Sequence, residues 1–186
     1  MKIKLLKKKS VNSTNDLAIK LIKSNRLKPT MISSLIQKKG RGTMGKRWIS
    51  QKGNLFISIF FEINPKQLNF KQYAVLNAFL IKKAISGYTS NRINIKWPND
   101  LLIKDKKVCG ILQEIINYKE KKFLIVGVGI NTNSAPDIKN FKTISLKDML
   151  NRNVNNNKII QDIKKIYEKF IIGVEKYNFS NLKKRI

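Results

Sequence analysis

The stretch from Lys96 to Glu114, KWPNDLLIKDKKVCGILQE, restricts the fold more than any other part of this chain. Just before and into it, Ile93, Ile95 and Trp97 alternate with Asn94 and Lys96, which is the period of a strand. Pro98 lacks a backbone N–H and fixes its own φ, so regular pairing stops there. Asn99-Asp100 is a turn pair. Leu101 to Ile103 reads as a second short strand, Asp105-Lys106-Lys107 as a turn, and Val108 to Ile116 as a third strand. Strands joined this tightly pair antiparallel. Lys96 and Lys107 flank the polar turn of an otherwise apolar meander. Burying an unpaired ammonium is costly, so the two lysines predict an anion, and a phosphate suits them.

The rest of the chain supplies helices around this meander. Lys2 to Leu6 reads as an edge strand guarded by its lysines. Ser13 with Asp16 three residues later is close to a capping box, and Leu17, Ala18, Leu21 and Ile22 continue at helical spacing. Met31 to Ile36 is a short buried strand, and Asn54 to Ile63, apolar on nearly both sides, is a central one. Phe70 to Ile85 carries apolar residues at helical spacing and ends at Gly87, a glycine C-cap. A fourth strand of the meander, Phe123 to Ile130, follows a turn over Asn117 to Lys122 and holds Gly127 and Gly129 on one face. Glycines inside a strand mark a close approach by a ligand or another backbone. Ser145 and Asp148 cap a short helix, Ile159 to Val174 forms a long amphipathic one, and the tail NLKKRI reads as frayed. This order predicts an α+β fold with a mixed, mostly antiparallel sheet flanked by helices, and not a doubly wound sheet.

Composition narrows the chemistry. The chain has 186 residues, with 42% hydrophobic, enough for one cored domain. Its formal charge is +28, which favours anionic partners. The lysines are spread along the whole length, so a global compositional bias explains them as readily as a nucleic-acid surface does. There is no histidine, which removes Ser-His-Asp catalysis and disfavours a zinc site. Cys109 is the lone cysteine and reads as a small core residue in a reducing compartment. No apolar run is long enough to span a membrane, which points to a cytoplasmic protein with no membrane partner.

Between the second and third strands lies Lys39-Gly40-Arg41-Gly42-Thr43-Met44-Gly45-Lys46-Arg47-Trp48. Its glycines let the backbone wrap closely around a ligand, and its cations imply that the ligand is anionic. It lacks the Gly-x4-Gly-Lys-Ser/Thr order of a Walker loop. A flexible surface turn explains it equally well when it is taken alone. Trp48 adds a flat face for a ring.

Together, Gly40 to Trp48, Lys96-Trp97-Pro98-Asn99-Asp100 with Lys107 and Gly110-Ile111-Leu112, and Gly127-Val128-Gly129-Ile130-Asn131 resemble the biotin–protein ligases. Ser13-Thr14-Asn15 and Gln37 match further motifs of that family. The resemblance covers about residues 10 to 135. It implies the biotin–lipoate ligase fold, which is like that of class II aminoacyl-tRNA synthetases. It also implies an ATP-dependent, Mg²⁺-assisted activation of biotin to biotinyl-5′-AMP, followed by transfer to a lysine of the biotin carboxyl carrier protein of acetyl-CoA carboxylase. Ser13, Thr14, Asn15 and Gln37 would hold the biotin head group, with Arg41, Gly42, Thr43 and Gly110 completing that site. Lys107 would contact the carboxylate and the α-phosphate, and Lys107 and Arg41 would be the catalytic pair. Trp48, Lys96, Asn99, Asp100 and Asn131 would form the ATP site, and Gly127 and Gly129 would leave room for ligand. Magnesium would arrive on the ATP phosphates, without a protein metal site. For Lys96 and Asp100 a plain ion pair fixing the turn is the alternative.

Two departures from the family pattern stand out. Thr43 occupies a position where the family usually has a second arginine, which predicts weaker retention of the adenylate unless Lys46 or Arg47 substitutes. The whole chain, 1–186, corresponds to the catalytic domain, with neither an N-terminal winged helix nor the small C-terminal β-barrel. A DNA-repressor role is therefore not expected, and a homodimer through an exposed strand is one arrangement open to it. The competing functions are a lipoate or octanoate ligase or transferase of the same superfamily, and a basic nucleic-acid-binding protein.

Overall fold

A computed structural model describes residues 1–139 and 141–174; the tail NLKKRI lies outside the described residues. The strands are β1 (Lys4–Val11), β2 (Thr30–Gln37), β3 (Leu55–Ile63), β4 (Ile93–Lys96), β5 (Asp100–Ile103), β6 (Lys106–Tyr118) and β7 (Lys121–Ile130). The helices are α1 (Thr14–Lys23), α2 (Phe70–Ser86), α3 (Leu146–Leu150) and α4 (Asn156–Gly173). The strands form a seven-stranded sheet in the order β1-β2-β3-β7-β6-β5-β4. β1 and β2 run parallel across the α1 crossover, and every other neighbouring pair is antiparallel. The α+β expectation holds, with β1 at one edge as anticipated. No helix among the described residues is long and apolar enough to cross a membrane.

Alternation along β3 and β7 divides the molecule into two layers. Leu55, Ile57, Ile59, Phe61 and Ile63 of β3, with Leu124, Val126, Val128 and Ile130 of β7, join the large core under α2 and α4. On the opposite face Phe60, Phe123 and Ile125 pack under Ala18 and Ile22 of α1. Toward the other end of that face the side chains of β7 become small, although Phe56 of β3 stays buried beside Gly129 and Leu112 of β6 lies beside Gly127. β7 continues with Gly127 and Gly129, β3 with Ser58, and β6 presents Gly110 beside Gly129. α1 covers only half of this face, and the glycines and serine leave the other half as a shallow floor. The candidate site lies on that floor.

Turn positions differ from the expected ones by a residue or two. The β5–β6 turn is Lys104-Asp105, with φ of 48° and 59°, and β6 already begins at Lys106. The β6–β7 turn is Lys119-Glu120, also with both φ positive. Two consecutive left-handed residues form the two-residue hairpin turn whose twist matches that of the flanking strands. Lysine and glutamate do not advertise that geometry, so the sequence placed the strand ends imprecisely. Gly87 does cap α2, but at φ −72° in the right-handed region, so its conformational freedom is not used there.

Candidate active site

The first half of the site is built at the N-terminus of α1. Ser13 caps the helix by accepting from Asp16 N at 3.4 Å, which fixes Thr14 and Asn15 over the floor. Asp16 does not return the second bond of a capping box; its carboxylate instead meets Arg41 Nε at 2.9 Å. Gln37, at the end of β2, accepts from Thr14 N at 2.8 Å and from Thr14 Oγ1 at 3.0 Å. Ser58 Oγ lies 2.7 Å from Thr14 Oγ1 and 2.5 Å from Asn15 Oδ1. Asn15 directs its amide protons to Glu114 Oε2 at 2.6 Å and Leu112 O at 3.4 Å, so the Ser58 proton belongs on Asn15 Oδ1. Ser13, Thr14, Asn15 and Ser58 are all buried.

The glycine loop returns over this half as a small hairpin. Gly42 N donates to Lys46 O at 2.7 Å and Trp48 N to Gly40 O at 3.0 Å. Met44 takes a left-handed φ of 53° at its tip. Gly40 has to be glycine, because a Cβ there would sit 2.6 Å from Trp48 O. Arg41 reaches down from the loop and forms a two-pronged pair with Glu114, at 2.9 and 2.7 Å. Lys46 and Arg47 are exposed, and no carboxylate meets either among the described residues. Thr43 is partly buried, and its carbonyl accepts from Lys46 N at 3.1 Å.

The second half centres on Lys107. Its ammonium is 2.8 Å from Asp100 Oδ1 and 5.4 Å from the ring centres of both Trp48 and Phe141. Lys107 and Asp100 are only 16% and 22% exposed, so each needs the other. Trp48 lies on the floor itself: a Cβ on Gly129 would fall 2.3 Å from its ring, and one on Gly110 2.6 Å. Asn15 is seated in the same way, 2.3 Å from where a Gly127 Cβ would stand. The space expected to hold ligand directly above these glycines is therefore filled by the chain's own Asn15 and Trp48. Three polar atoms in this half are buried without a hydrogen-bond partner, Trp48 Nε1, Asn131 Oδ1 and Asp100 Oδ1, of which the last meets a charge, the Lys107 ammonium. Asn131 is fixed by its N–H to Val108 O at 2.8 Å and, weakly, by Nδ2 to Lys107 O at 3.4 Å.

Lys96 departs from expectation. It faces Asp100 in the β4–β5 register, yet it is exposed and forms no ion pair with it, because Asp100 turns to Lys107. The static Lys96–Asp100 pair is thus not formed, and the cost of buried charge applies to Lys107 alone. Asn99 pins the turn to β6, with its carbonyl accepting from Ile111 N at 2.8 Å and its amide donating to Ile111 O at 3.1 Å. Cys109 is fully buried, and burial pushes its thiol well above the ordinary range, so it supplies no nucleophile.

Several contributors had no signal in the sequence. Ser58 sits within an apolar run, and Glu114 is one polar residue within a strand. The segment 141–144 runs beside Lys107, whose N–H donates to Lys142 O at 2.9 Å while Ile144 N donates to Lys107 O at 3.0 Å. This brings Phe141 over the ammonium. Among the described residues no three His, Cys, Asp or Glu side chains converge to hold a metal. A cleft of about 620 Å³ lies apart, between α2 and α4, and none of the candidate site residues lines it.

Known proteins match this architecture closely. The Bacillus subtilis bifunctional ligase/repressor BirA is 29% identical over 180 residues, 93% of this chain and 55% of the relative. The chain thus spans about half the length of such curated relatives. The Paracoccus denitrificans biotin–[acetyl-CoA-carboxylase] ligase is 32% identical over 101 residues, 53% of this chain and 42% of that one. Among solved structures, the Aquifex aeolicus biotin protein ligase in complex with biotin and ATP superposes with a TM-score of 0.82 at 28% identity, covering 98% of this chain and 76% of that one. The model of the biotin/lipoate A/B protein ligase family matches residues 8–131, more than half of the chain, and with this sheet and this site the chain belongs to that family.

Proposed function

We propose that this chain activates biotin with ATP as biotinyl-5′-AMP and transfers it to a lysine of a carboxyl carrier domain, that of acetyl-CoA carboxylase being the first candidate. One observation carries the reading. Asn15 and Trp48 are seated on Gly127 and Gly129, two residues apart on one face of β7. Two strand residues span about 7 Å, so an acid held at Asn15 and a nucleotide held at Trp48 are neighbours. Lys107 stands beside Trp48, where the carboxylate and the α-phosphate would meet.

The acid half suits a small polar ring with both N–H and C=O groups, since buried Thr14, Asn15 and Ser58 and partly buried Gln37 hold polar groups in fixed positions through their hydrogen bonds. In the nucleotide half, Trp48 offers a face for a base. The free Asn131 Oδ1 is an acceptor for an N–H or O–H donor of the nucleotide. The carboxylate oxygen attacks the α-phosphorus, the bond to pyrophosphate breaks, and Lys107 offsets the negative charge that collects there. Asp100 holds the ammonium in place as an ion pair at 2.8 Å and leaves its protons to face the reacting oxygens. The carrier amine then attacks the acyl carbon and AMP leaves. Magnesium would be held by the phosphates, since among the described residues no three acidic, cysteine or histidine side chains converge to hold it. The high positive charge steers an acidic carrier toward the site.

The test is to incubate the chain with ATP, an isolated carboxyl carrier domain, and either biotin or lipoate, and to weigh the carrier. A mass gain of one biotinyl group, absent when the acceptor lysine is replaced by arginine, is expected. Lipoyl transfer in its place would overturn the biotin reading in favour of the other branch of the family.

A further inference from the structure

Arg41 is the only cation of the glycine loop that meets carboxylates among the described residues. Its guanidinium has no idle edge: both terminal nitrogens pair with Glu114 and Nε pairs with Asp16. The two acids come from different elements, Glu114 from β6 and Asp16 from the first turn of α1, so the loop is fastened on both sides of the gap it crosses. Glu114 also takes the Asn15 amide, which leads through Ser58 and Thr14 to Gln37. One hydrogen-bonded chain thus connects the loop outside to the floor of the acid pocket. The arginine is about a third exposed and Glu114 less so, at 37% and 23%, which leaves the pair partly shielded from water and able to break.

A mixed anhydride such as an acyl-adenylate is lost by leakage or by hydrolysis, and both need the loop to lift. We infer that Glu114, assisted by Asp16, is a positioning residue that latches the loop through Arg41 and thereby sets how long the activated acid stays on the protein. The inference rests on the ligase reading for its substrate, while the latch itself is a property of the free chain. In the latch Glu114 touches neither reacting atom; it acts through Arg41 and Asn15. Arg47 reaches only the Lys38 carbonyl, at 3.4 Å, so Arg41 is the loop cation held by charge and Glu114 is its main holder.

The experiment has two arms on the full chain. In the first, protein loaded with radiolabelled biotinyl-adenylate is diluted into excess unlabelled adenylate and release is timed. E114Q, which keeps an acceptor for Asn15 but loses the ion pair, should release about tenfold faster, as should R41A. The double variant should release no faster than R41A, because the two residues act as one unit. In the second arm, the ligand-free proteins are treated with trypsin, which cuts after Lys39, Arg41, Lys46 or Arg47. E114Q should be cut in this loop several times faster than the unsubstituted chain, with D16N in between. Additive effects on release, or equal release and equal cleavage in E114Q, would overturn the latch. If the unsubstituted chain binds no adenylate while E114Q still opens the loop to trypsin, the ligase reading fails and the latch stands.

Discussion

The two halves of the site share one sheet face but are built in opposite ways. Around Asn15 every buried polar group finds a partner within the chain: Thr14 with Gln37, Ser58 with Asn15, Asn15 with Glu114. Around Trp48 and Lys107 the polar groups are left open, with Trp48 Nε1 and Asn131 Oδ1 buried and unpartnered. A closed network fixes shape before a ligand arrives and suits a small rigid head group. An open set carries a desolvation cost that a ligand can relieve, which suits a nucleotide that comes and goes each cycle. Lys107 belongs to the open half but is restrained by Asp100 and two rings.

Substitutions can break this contrast. The largest effect is expected for Lys107→Ala, which removes the cation at the reacting phosphate and strands Asp100. Adenylate formation should fall about 10²–10³-fold, measured by single-turnover assay, with the fold kept as judged by circular dichroism. The glycine seats come next and separate the halves. Gly127→Ala drives a methyl group into Asn15 and Gly129→Ala one into Trp48, each at a cost of about 1–3 kcal/mol in stability by thermal melting. Gly127→Ala should raise KM mainly for biotin and Gly129→Ala mainly for ATP; the reverse pattern would mean that the halves are wrongly assigned. The smallest effect is expected from Asn131→Ala. Because Oδ1 has no partner to lose and Nδ2 only a long one, stability should change little, while the KM for ATP should rise about tenfold.

The sequence and the structure agree best where local pattern decides geometry. The meander, the Ser13 cap and the paired glycines of β7 could all be read because strand alternation, helix capping and the lack of a Cβ are properties of a few adjacent residues. Which carboxylate pairs with which cation could not. Lys96 lies opposite Asp100 across a hairpin, yet Lys107 takes the pair from β6. Glu114 and Asp16 are far from Arg41 in sequence, and only the folding of α1 and β6 onto one sheet face brings the three together. Phe141 reaches Lys107 through backbone pairing of a segment with no periodicity of its own. Long-range pairing of this kind leaves no trace in spacing, so the residues proposed to bind the acid and the nucleotide stood out as motifs while the partners that hold them in place did not.

The most direct measurement of the central claim is pyrophosphate–ATP exchange with biotin, with lipoate, and with no acid added. Exchange that appears with biotin alone and disappears in Lys107→Ala is the predicted result. No exchange with any acid, together with salt-sensitive binding of RNA or DNA, would contradict the account and give the positive charge a different purpose.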